Sequence, residues 1–600
     1  MVTLAKCDET ACALPRRWIC SIQYVLAAIL VTSSFVFAQQ TPSDETRKQI
    51  AQLEKQLKAL PDGVFNWDLH NGLRHHYAGF DERKSMSHVE EILKHQPLDA
   101  YMRQCLGGSQ ADRSESIRSL LSVAKKHRSQ PNLVASCYVW MAELEPDAKA
   151  SEQHLKSAKS VKGITPSFIE LIDDRLLFNP ERRVAWPESI RPPKGLEKSP
   201  GPWTDPSDKT VWPNTESRAN GDAWLIKNHD SIRKMKPRLL LINFSNEHDR
   251  GHLDQLTEML IHALAESTRY HGYADENAPA FLNYEIFKFV DLRDKDRTVG
   301  NSRLMPAKKR EGKGALTMKY RDLFTETFAQ YYGVSDPRNP KRFLRLDELL
   351  DGGYIHEVWF FDSGNDKLPG HVGAFEVVEE KPKYNEQFQP VGREWVQAGN
   401  GGDNEQPWVG RSCRIGYVNA SRGIGCFLES LAHGMEGAAN SGSIPYFTKY
   451  FREYADFNLD TRYGLPFNSL YGVNYGGKPV QFLDEKTALI THGDKVHRVE
   501  NYIPVGGSAH FPPNGRSHYD LDNDKPVLCT MADWRIGSGV NGTDKAEPYT
   551  RETIRNYRDM APDCMGAWLI YWRQNMPGLD NKQKADDGAP MKNWWPFLFY

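Results

Sequence analysis

The sequence predicts an α/β protein with a mostly parallel sheet, helices on both faces and a loop-rich C-terminal elaboration, preceded by a small all-α domain of helical hairpins. Two observations predict this fold class: apolar residues recur at helical spacing early in the chain, and short apolar runs alternate with helical segments after residue 238. A chain of 600 residues is also too long for one ordinary core. The predicted segments are a signal peptide at 1–38, a helical repeat-like domain at 39–190, a linker at 191–213, the α/β domain at 214–580 and a tail at 581–600.

The N-terminal segment has the pattern of a secretory signal peptide. Arg16 and Arg17 precede an apolar run over residues 19–37, and Ala38 is the small residue that a signal peptidase requires. We expect cleavage after Ala38 and a secreted or periplasmic protein, with an uncleaved anchor as the alternative. No other stretch reaches the ~18 apolar residues of a spanning helix, so no transmembrane segment is expected after cleavage.

The charge balance restricts the class of partner. The chain has 76 Lys and Arg residues against 78 Asp and Glu residues, and no basic cluster stands out. Proteins that bind nucleic acid usually carry such a cluster, so we expect no nucleic-acid partner. Hydrophobic residues make up 40% of the chain, which is enough to form folded cores.

The cysteines suggest disulfide bonds, because an exported protein folds in an oxidising compartment. Beyond the leader the chain has an even number of cysteines, and their spacing does not select one pairing. Pairing of nearest neighbours would join Cys105 to Cys137, Cys413 to Cys426, and Cys529 to Cys564.

Amphipathic segments fill the predicted helical domain. Ile50, Leu53 and Leu57 recur at three- and four-residue steps, as on one face of a helix. Further helical segments are predicted at 114–127, 132–145, 150–162 and 165–178. Their pairing is similar to the architecture of tetratricopeptide repeats, without that consensus, so this domain is a candidate protein-binding surface. Prolines and glycines between 191 and 213 indicate a linker.

Four apolar runs in the next domain predict strands. They lie at 238–244, 283–292, 354–362 and 413–420, and helical segments separate them. In parallel sheets, ligands bind beyond the carboxyl ends of the strands. The polar residues expected at that edge are Asn243, Ser245, Asp291, Asp362, Asn419 and Ser421.

From about residue 465 the chain is rich in glycine, proline and aromatic residues. This composition predicts loops and short strands that wrap the sheet, with one late helix near 564–578. The polar segment from residue 581 predicts a loose tail. Its terminal aromatic residues, 593–600, either dock on the body or contact a partner.

Residues 421–440 form the most informative segment. On a helix, at about 100° per residue, Glu429, His433 and Glu436 fall on one strip opposite the apolar face. A strip that faces water is one interpretation. Gly425, Gly434 and Gly437 argue against it, because a glycine costs ~1 kcal/mol inside a helix and close packing of another segment would explain its presence. A sheltered imidazole between two carboxylates suits metal binding or proton transfer.

A metal site is one hypothesis for this strip. His433 and Glu436 supply two ligands, and a third must come from a distant segment. We expect His510 in that position, because glycines and prolines fix its loop. Glu429 would then act as general base or orient a ligand, and the metal would be one divalent ion, with zinc favoured. An acid–base cluster without metal and a structural hydrogen-bond network remain alternatives.

A second candidate metal site, with weaker sequence support, follows this loop. Asp520, Asp522 and Asp524 alternate as in a calcium-binding loop, but Lys525 stands where an EF-hand has glycine. An acidic turn is the alternative. The chain has no GxSxG elbow, and no phosphate-binding glycine loop follows its first predicted strand, so a serine nucleophile and a nucleotide cofactor lack support.

Several segments between residues 238 and 534 resemble a family of exported bacterial proteins. The family combines an Asp-Glu-Val-Trp strand, a Gly-His-Arg-x-Glu helix and a His-Phe-Pro-Pro-Asn loop. This sequence has His-Glu-Val-Trp at 356–359, His-Gly-Met-Glu at 433–436 and His-Phe-Pro-Pro-Asn at 510–514. It departs from the pattern at His356 and Gly434. The resemblance implies that Glu429, His433, Glu436 and His510 form one constellation, and it implies no particular reaction.

These patterns lead to two functional hypotheses. The first is an exported metal-dependent hydrolase that acts on an extracellular or envelope polymer. The alternative is a non-catalytic exported protein that binds carbohydrate or an envelope component through tryptophan-rich loops. Both depend on whether the strip on the 421–440 helix is sheltered.

Overall fold

The structure is a computed structural model. It describes residues 44–61, 63–77, 81–95, 113–145, 147–177, 205–309, 316–368, 370–399, 406, 409–473, 477–537 and 544–600. The predicted signal peptide, Cys105 and most of the predicted linker lie outside these residues.

The chain divides into two compact units, Met1–Ala111 and Asp112–Tyr600. This boundary falls inside the predicted helical domain. The described helices of the first unit are α1 (Asp44–Lys58), α2 (Trp67–Tyr77) and α3 (Glu82–His95). Ile50, Leu73 and Tyr77 are buried between them, and Leu53 and Leu57 pack against this cluster. The predicted apolar face of α1 is therefore confirmed.

The second unit begins with antiparallel helices joined by short turns. They are α4 (Arg113–Lys126), α5 (Pro131–Leu144), α6 (Ala148–Lys159) and α7 (Pro166–Leu177), and they confirm the four predicted helical segments. Pro131 and Pro166 occupy first-turn positions, where a missing N–H costs nothing. Asp147 caps α6 by accepting a hydrogen bond of 2.8 Å from the Ala150 N–H. Consecutive helices pack in pairs, α4 on α5, α5 on α6 and α6 on α7.

The rest of the second unit contains short helices and many strands. The helices are α8 (Ala223–Lys227), α9 (Arg250–Ser267), α10 (Glu326–Tyr332), α11 (Leu346–Asp351), α12 (Ile424–Asn440), α13 (Pro445–Tyr454), α14 (Leu459–Tyr463) and α15 (Gly566–Gln574). The strands are β1 (Val211–Trp212), β2 (Lys234–Met235), β3 (Arg238–Asn243), β4 (Glu285–Asp291), β5 (Ala307–Lys309), β6 (Leu316–Met318), β7 (Ser335–Asp336), β8 (Asn339–Phe343), β9 (Glu357–Asp362), β10 (Val372–Gly373), β11 (Val377–Tyr384), β12 (Pro390–Gln397), β13 (Cys413–Asn419), β14 (Val480–Asp484), β15 (Thr487–His492), β16 (Lys495–Glu500), β17 (Val527–Cys529) and β18 (Glu547–Tyr549). None of the helices in the described part of the chain combines the length and hydropathy that crossing a membrane requires.

A six-stranded sheet in the order β12-β11-β13-β9-β3-β4 forms the centre of the second unit. The four strands predicted from apolar runs are β3, β4, β9 and β13, and each of them pairs in parallel with its neighbour in this group. β3 and β9 are buried along their whole length, which explains their continuous apolar character.

The prediction of a mostly parallel sheet is not confirmed, because the sheet is mixed. β11 runs antiparallel to β13 and to β12. A five-residue turn, 385–389, joins β11 to β12, and a turn of this length allows only an antiparallel hairpin. Within it, the Asn385 side chain accepts hydrogen bonds of 3.0 Å from the N–H groups of Gln387 and Gln389.

Apolar layers cover both faces of the central sheet. Leu239 and Leu241 of β3 point to a core shared with α9, α12 and α15. Leu240 and Ile242 point to a second core, shared with α10 and α11. Successive residues of a strand face opposite sides of the sheet, so the helices flank both faces as predicted.

The C-terminal part contains the expected loops and short strands, but residues 581–600 are not a loose tail. Trp594 is fully buried and Tyr600 is 1% exposed. The Leu598 carbonyl accepts hydrogen bonds from Lys381 Nζ at 3.1 Å and Arg414 Nη2 at 3.0 Å, and these cations belong to the central sheet. The terminal aromatic residues therefore dock on the body and complete its core.

Two of the predicted disulfide pairings, Cys413 with Cys426 and Cys529 with Cys564, are not present in the described residues. The pairing of Cys105 with Cys137 involves a residue outside them. Cys413 is buried in the core shared with α10 and α11, whereas Cys426 lies on α12 at the opposite face of the sheet, so the sheet separates this pair.

The docked C-terminus predicts a large loss of stability when it is disturbed. Phe599 is fully buried and its ring lies 5.2 Å from that of Trp212. Phe599→Ala should lower the free energy of unfolding of the second unit by about 3–5 kcal/mol, because it leaves a cavity. Urea denaturation followed by tryptophan fluorescence measures this change.

Val496→Ala is the control for this experiment. Val496 is 62% exposed on β16, so its truncation should change the free energy by less than about 0.5 kcal/mol. Equal effects of the two substitutions would contradict the docking of the C-terminus.

Candidate functional site

Helix α12 carries the predicted strip and packs closely on its neighbours. A Cβ atom on Gly425 would lie 1.9 Å from the Asp563 carbonyl oxygen, and one on Gly437 would lie 1.9 Å from that of Ala398. Gly425 and Gly437 are therefore required by close backbone packing, as expected. Gly434 is not, because a Cβ atom there would lie 3.6 Å from Val377 Cγ1, an ordinary contact distance. Phe427 faces the sheet, against Trp359 of β9.

The strip itself lies on the side of α12 turned away from the sheet, and a loop covers it. The side chains of Glu429, Glu436 and His433 are 5%, 7% and 14% exposed. The strip is thus sheltered, which excludes the interpretation that it simply faces water. The polar residues predicted at the carboxyl edge of the strands form hydrogen bonds of their own, such as that of 3.1 Å from Asn243 Nδ2 to Asp291 Oδ1.

The covering loop, 503–519, is anchored at several points. The buried Asp456 carboxylate accepts hydrogen bonds from the N–H groups of Val505 at 3.0 Å and Gly507 at 2.8 Å. Gly507 has a φ of +63°, in the left-handed region that favours glycine. Trp568 Nε1 donates to the Ser508 carbonyl at 3.0 Å. These contacts place His510 over α12.

Three side-chain atoms converge above the helix. His510 Nε2 lies 2.7 Å from Glu429 Oε1 and 2.8 Å from His433 Nε2, and the latter two atoms are 3.0 Å apart. Within the described residues, this is the one group of three or more His, Cys, Asp and Glu side chains whose ligand atoms could meet at a metal ion. It contains three of the four residues that the sequence singled out.

The fourth predicted residue, Glu436, lies on the other side of His433. Its Oε2 atom is 2.8 Å from His433 Nδ1. It also accepts a hydrogen bond of 2.9 Å from the Ala509 N–H and one of 3.1 Å from the Tyr471 hydroxyl. Glu436 therefore orients the imidazole and does not join the convergent group.

Further contacts fix the other two members of the group. His510 Nδ1 lies 2.9 Å from His518 Nδ1. Glu429 accepts a hydrogen bond of 3.2 Å from the Tyr519 hydroxyl to Oε1, and one of 3.5 Å from the Cys564 thiol to Oε2. Each of the three converging side chains thus has at least one further hydrogen-bond partner outside the group.

The pKa values of several side chains in and beside the group are strongly shifted. Burial raises the pKa of Glu429, but hydrogen bonds from His433 and His510 outweigh it and hold that pKa well below its usual range. Burial lowers the pKa of His433, but hydrogen bonds to Glu429 and Glu436 outweigh it and raise the pKa to about 10. Burial and the neighbouring His510 lower the pKa of His518 to about 4. The raised pKa favours the protonated form of His433, whose ring lies between Glu429 and Glu436.

The sequence analysis missed Tyr471, His518, Tyr519 and Cys564. His518 and Tyr519 follow the His-Phe-Pro-Pro-Asn loop within ten residues, and that proximity was the available signal. Tyr519 is 46% exposed and has a φ of +62°, which is strained for a residue with a large side chain. Its ring packs 4.1 Å from that of His510.

The aspartates of the predicted calcium loop do not converge in the same way. Asp520 is held by Arg516, with Nε 2.5 Å from Oδ2 and Nη2 2.9 Å from Oδ1. Asp522 and Asp524 are exposed. This arrangement matches the alternative interpretation, an acidic turn.

Comparisons of the chain with protein-family models, curated proteins and solved structures gave no match. The function of the site must therefore be argued from its own geometry.

The raised pKa of His433 predicts a pH-dependent contribution to stability. The group binds its proton more tightly in the folded than in the unfolded chain, so its contribution is complete below pH 6.5 and is lost as the pH rises toward 10. We expect the stability difference between the wild type and His433→Gln, in chelator, to shrink over this range.

Denaturation with urea at a series of pH values measures that difference. The surface residue His262 provides the matched control, since His262→Gln should show no such trend. A difference that stays constant from pH 6 to about 10 would show that His433 is not held as an imidazolium.

Proposed function

We propose that Glu429, His433 and His510 hold one divalent transition metal, with zinc favoured, and that the protein is a metal-dependent hydrolase. One observation carries this proposal: Glu429 Oε1, His433 Nε2 and His510 Nε2 lie within 3.0 Å of one another in a sheltered position.

The residues present fit a zinc ion. Zinc binds nitrogen and oxygen at about 2.0–2.1 Å, so neighbouring ligands of a tetrahedral site are about 3.3 Å apart. The three atoms are slightly closer, at 2.7 to 3.0 Å, and small side-chain rotations would open the triangle. Two imidazoles and one carboxylate form a ligand set typical of catalytic zinc, which leaves one position for water.

The surrounding contacts support the same assignment. Ligand imidazoles usually donate their other N–H to a carboxylate or another acceptor, which fixes the ring and its tautomer. Glu436 would serve His433 in this way, and His518 would serve His510. The proposal thus exchanges the roles that the sequence-based prediction gave to the two glutamates. Glu429 becomes a ligand, and Glu436 orients His433.

A metal in this position supplies Lewis acidity and lowers the pKa of a bound water toward about 7. The chain itself contributes Tyr519, whose hydroxyl lies 3.2 Å from Glu429 Oε1 on a half-exposed side chain. Tyr519 would donate a hydrogen bond to an oxygen of the substrate. The expected export of the chain favours an extracellular or envelope polymer as that substrate.

The alternative, carbohydrate binding through tryptophan-rich loops, has less support. Apart from Trp224, the tryptophan side chains that the structure describes are buried. Buried indoles cannot stack on a sugar ring. Tyr519 is the exposed aromatic side chain beside the site, and one ring makes a weak platform for a glycan.

Metal binding is the first test of the proposal. The wild type, stripped by chelator and dialysed against zinc, should retain one zinc ion per chain, measured by inductively coupled plasma mass spectrometry. His433→Ala and His510→Ala should retain none, because two ligands rarely hold zinc. Glu436→Gln should weaken binding by roughly 10–100-fold, because it changes only the orientation of a ligand.

His262→Ala, on the exposed face of α9, is the matched control and should bind zinc like the wild type. If all of these proteins bind zinc equally, or none binds it, the group is a structural hydrogen-bond network.

Hydrolysis is the second test. The zinc-loaded protein should cleave one of three polymer classes, namely polysaccharide, peptidoglycan or protein, with release of soluble reducing ends or amines. Chelation should abolish the activity and added zinc should restore it. Tyr519→Phe should lower kcat by roughly 100-fold and leave the zinc content unchanged, because it removes a proton donor and no ligand.

Tyr331→Phe is the control, since Tyr331 is similarly exposed but lies on α10. Full zinc loading with no cleavage of any polymer, together with retention on an insoluble glycan, would support the binding alternative.

A further inference from the structure

Two thiols meet beside the candidate metal site. Cys426 lies in the first turn of α12, and Cys564 precedes α15. Each thiol is close enough to shift the pKa of the other. Both are partly exposed, whereas Cys137, Cys413 and Cys529 are buried. Nearest-neighbour spacing did not select this pair, because the two positions are far apart in the chain.

The backbones on either side hold the two thiols in place. The Asp563 carboxylate accepts hydrogen bonds from the Gly425 N–H at 2.8 Å and the Cys426 N–H at 3.3 Å. A Cβ atom on Gly425 would collide with the Asp563 carbonyl oxygen, and one on Gly566 would lie 2.8 Å from the Gly425 Cα. The starts of α12 and α15 are therefore in close backbone contact, and this places residues 426 and 564 in neighbouring segments.

The surroundings make Cys426 the more reactive of the two. The neighbouring Cys564 thiol lowers the pKa of the Cys426 thiol, and the charge of Arg422 acts in the same direction. A thiol in the first turn of a helix is also stabilised as a thiolate by the helix dipole. Cys564 has a φ of +48°, a strained conformation for a residue other than glycine.

We propose that Cys426 and Cys564 form a redox-active dithiol that exchanges with low-molecular-weight disulfides. The Cys426 thiolate attacks one sulfur of the incoming disulfide; a mixed disulfide forms, and one thiolate leaves and takes a proton from water. Cys564 then releases its proton to solvent and attacks Cys426 Sγ, which expels the second thiol. Overall, two protein thiols are oxidised to one disulfide, and one external disulfide is reduced to two thiols.

To form a disulfide bond, the two sulfur atoms must approach to ~2.05 Å. Oxidation would also remove the thiol hydrogen that Cys564 shares with Glu429 Oε2. A change in the redox state of the pair would therefore alter a contact of Glu429, a ligand of the proposed metal. The dithiol itself requires no metal.

The test uses the full-length protein and glutathione buffers of graded redox ratio. After alkylation of free thiols, peptide mapping by mass spectrometry should identify a peptide that links Cys426 to Cys564. The linked fraction should rise with oxidised glutathione and return to zero with dithiothreitol. Free Cys426 and Cys564 throughout the series would overturn the proposal, whatever the zinc content of the protein.

Single variants test the order of the steps. Cys564→Ser should trap a glutathione adduct on Cys426, because the resolving thiol is missing, whereas Cys426→Ser should give several-fold less adduct on Cys564. Cys529→Ser removes a buried thiol and should still form the Cys426–Cys564 link. A link from Cys426 or Cys564 to another cysteine in the wild type would also overturn the proposal, and this result needs no variant to fold.

Discussion

Glu436 joins the helix that carries the site to the loop that completes it. Its buried carboxylate accepts hydrogen bonds from the Ala509 N–H and the Tyr471 hydroxyl, and its Oε2 atom meets His433 Nδ1. A buried carboxylate without such partners costs several kcal/mol, so the loop cannot leave α12 without a penalty. The position of His510 follows, because it is the next residue after Ala509. One side chain thus closes the loop and also sets the orientation of the His433 ring.

At the metal site proposed above, a proton and the metal ion would compete for the same atom of His433. Without metal, the hydrogen bonds to Glu429 and Glu436 raise the pKa of His433 to about 10 and favour its protonated form. A metal at Nε2 requires the neutral imidazole, so binding must displace this proton. The two carboxylates would stabilise the positive charge of either the imidazolium or the metal ion. For that reason the metal-free geometry is already close to the geometry that a metal would need. The affinity of the site for metal will depend on this exchange of one cation for another.

The sequence predicted the elements that follow simple periodicity. β3 and β9 were found because buried parallel strands are continuous apolar runs, and the strip on α12 was found because three residues share one helical face. β11 was missed because it contains Glu379, Glu380 and Lys381, which are buried in the sheet. Contacts with distant segments, such as those of Glu379 with Arg414 and of Lys381 with the Leu598 carbonyl, make this burial tolerable and leave no local pattern.

The site was predictable only in part for the same reason. Spacing placed both glutamates beside His433, and only the fold of the covering loop decides which one meets His510. The partners Tyr471, His518 and Cys564 come from three other segments, so no periodicity connects them to α12. Docking of the terminal aromatic residues was one of two expected outcomes, whereas the polar stretch before them led to the wrong prediction of a loose tail.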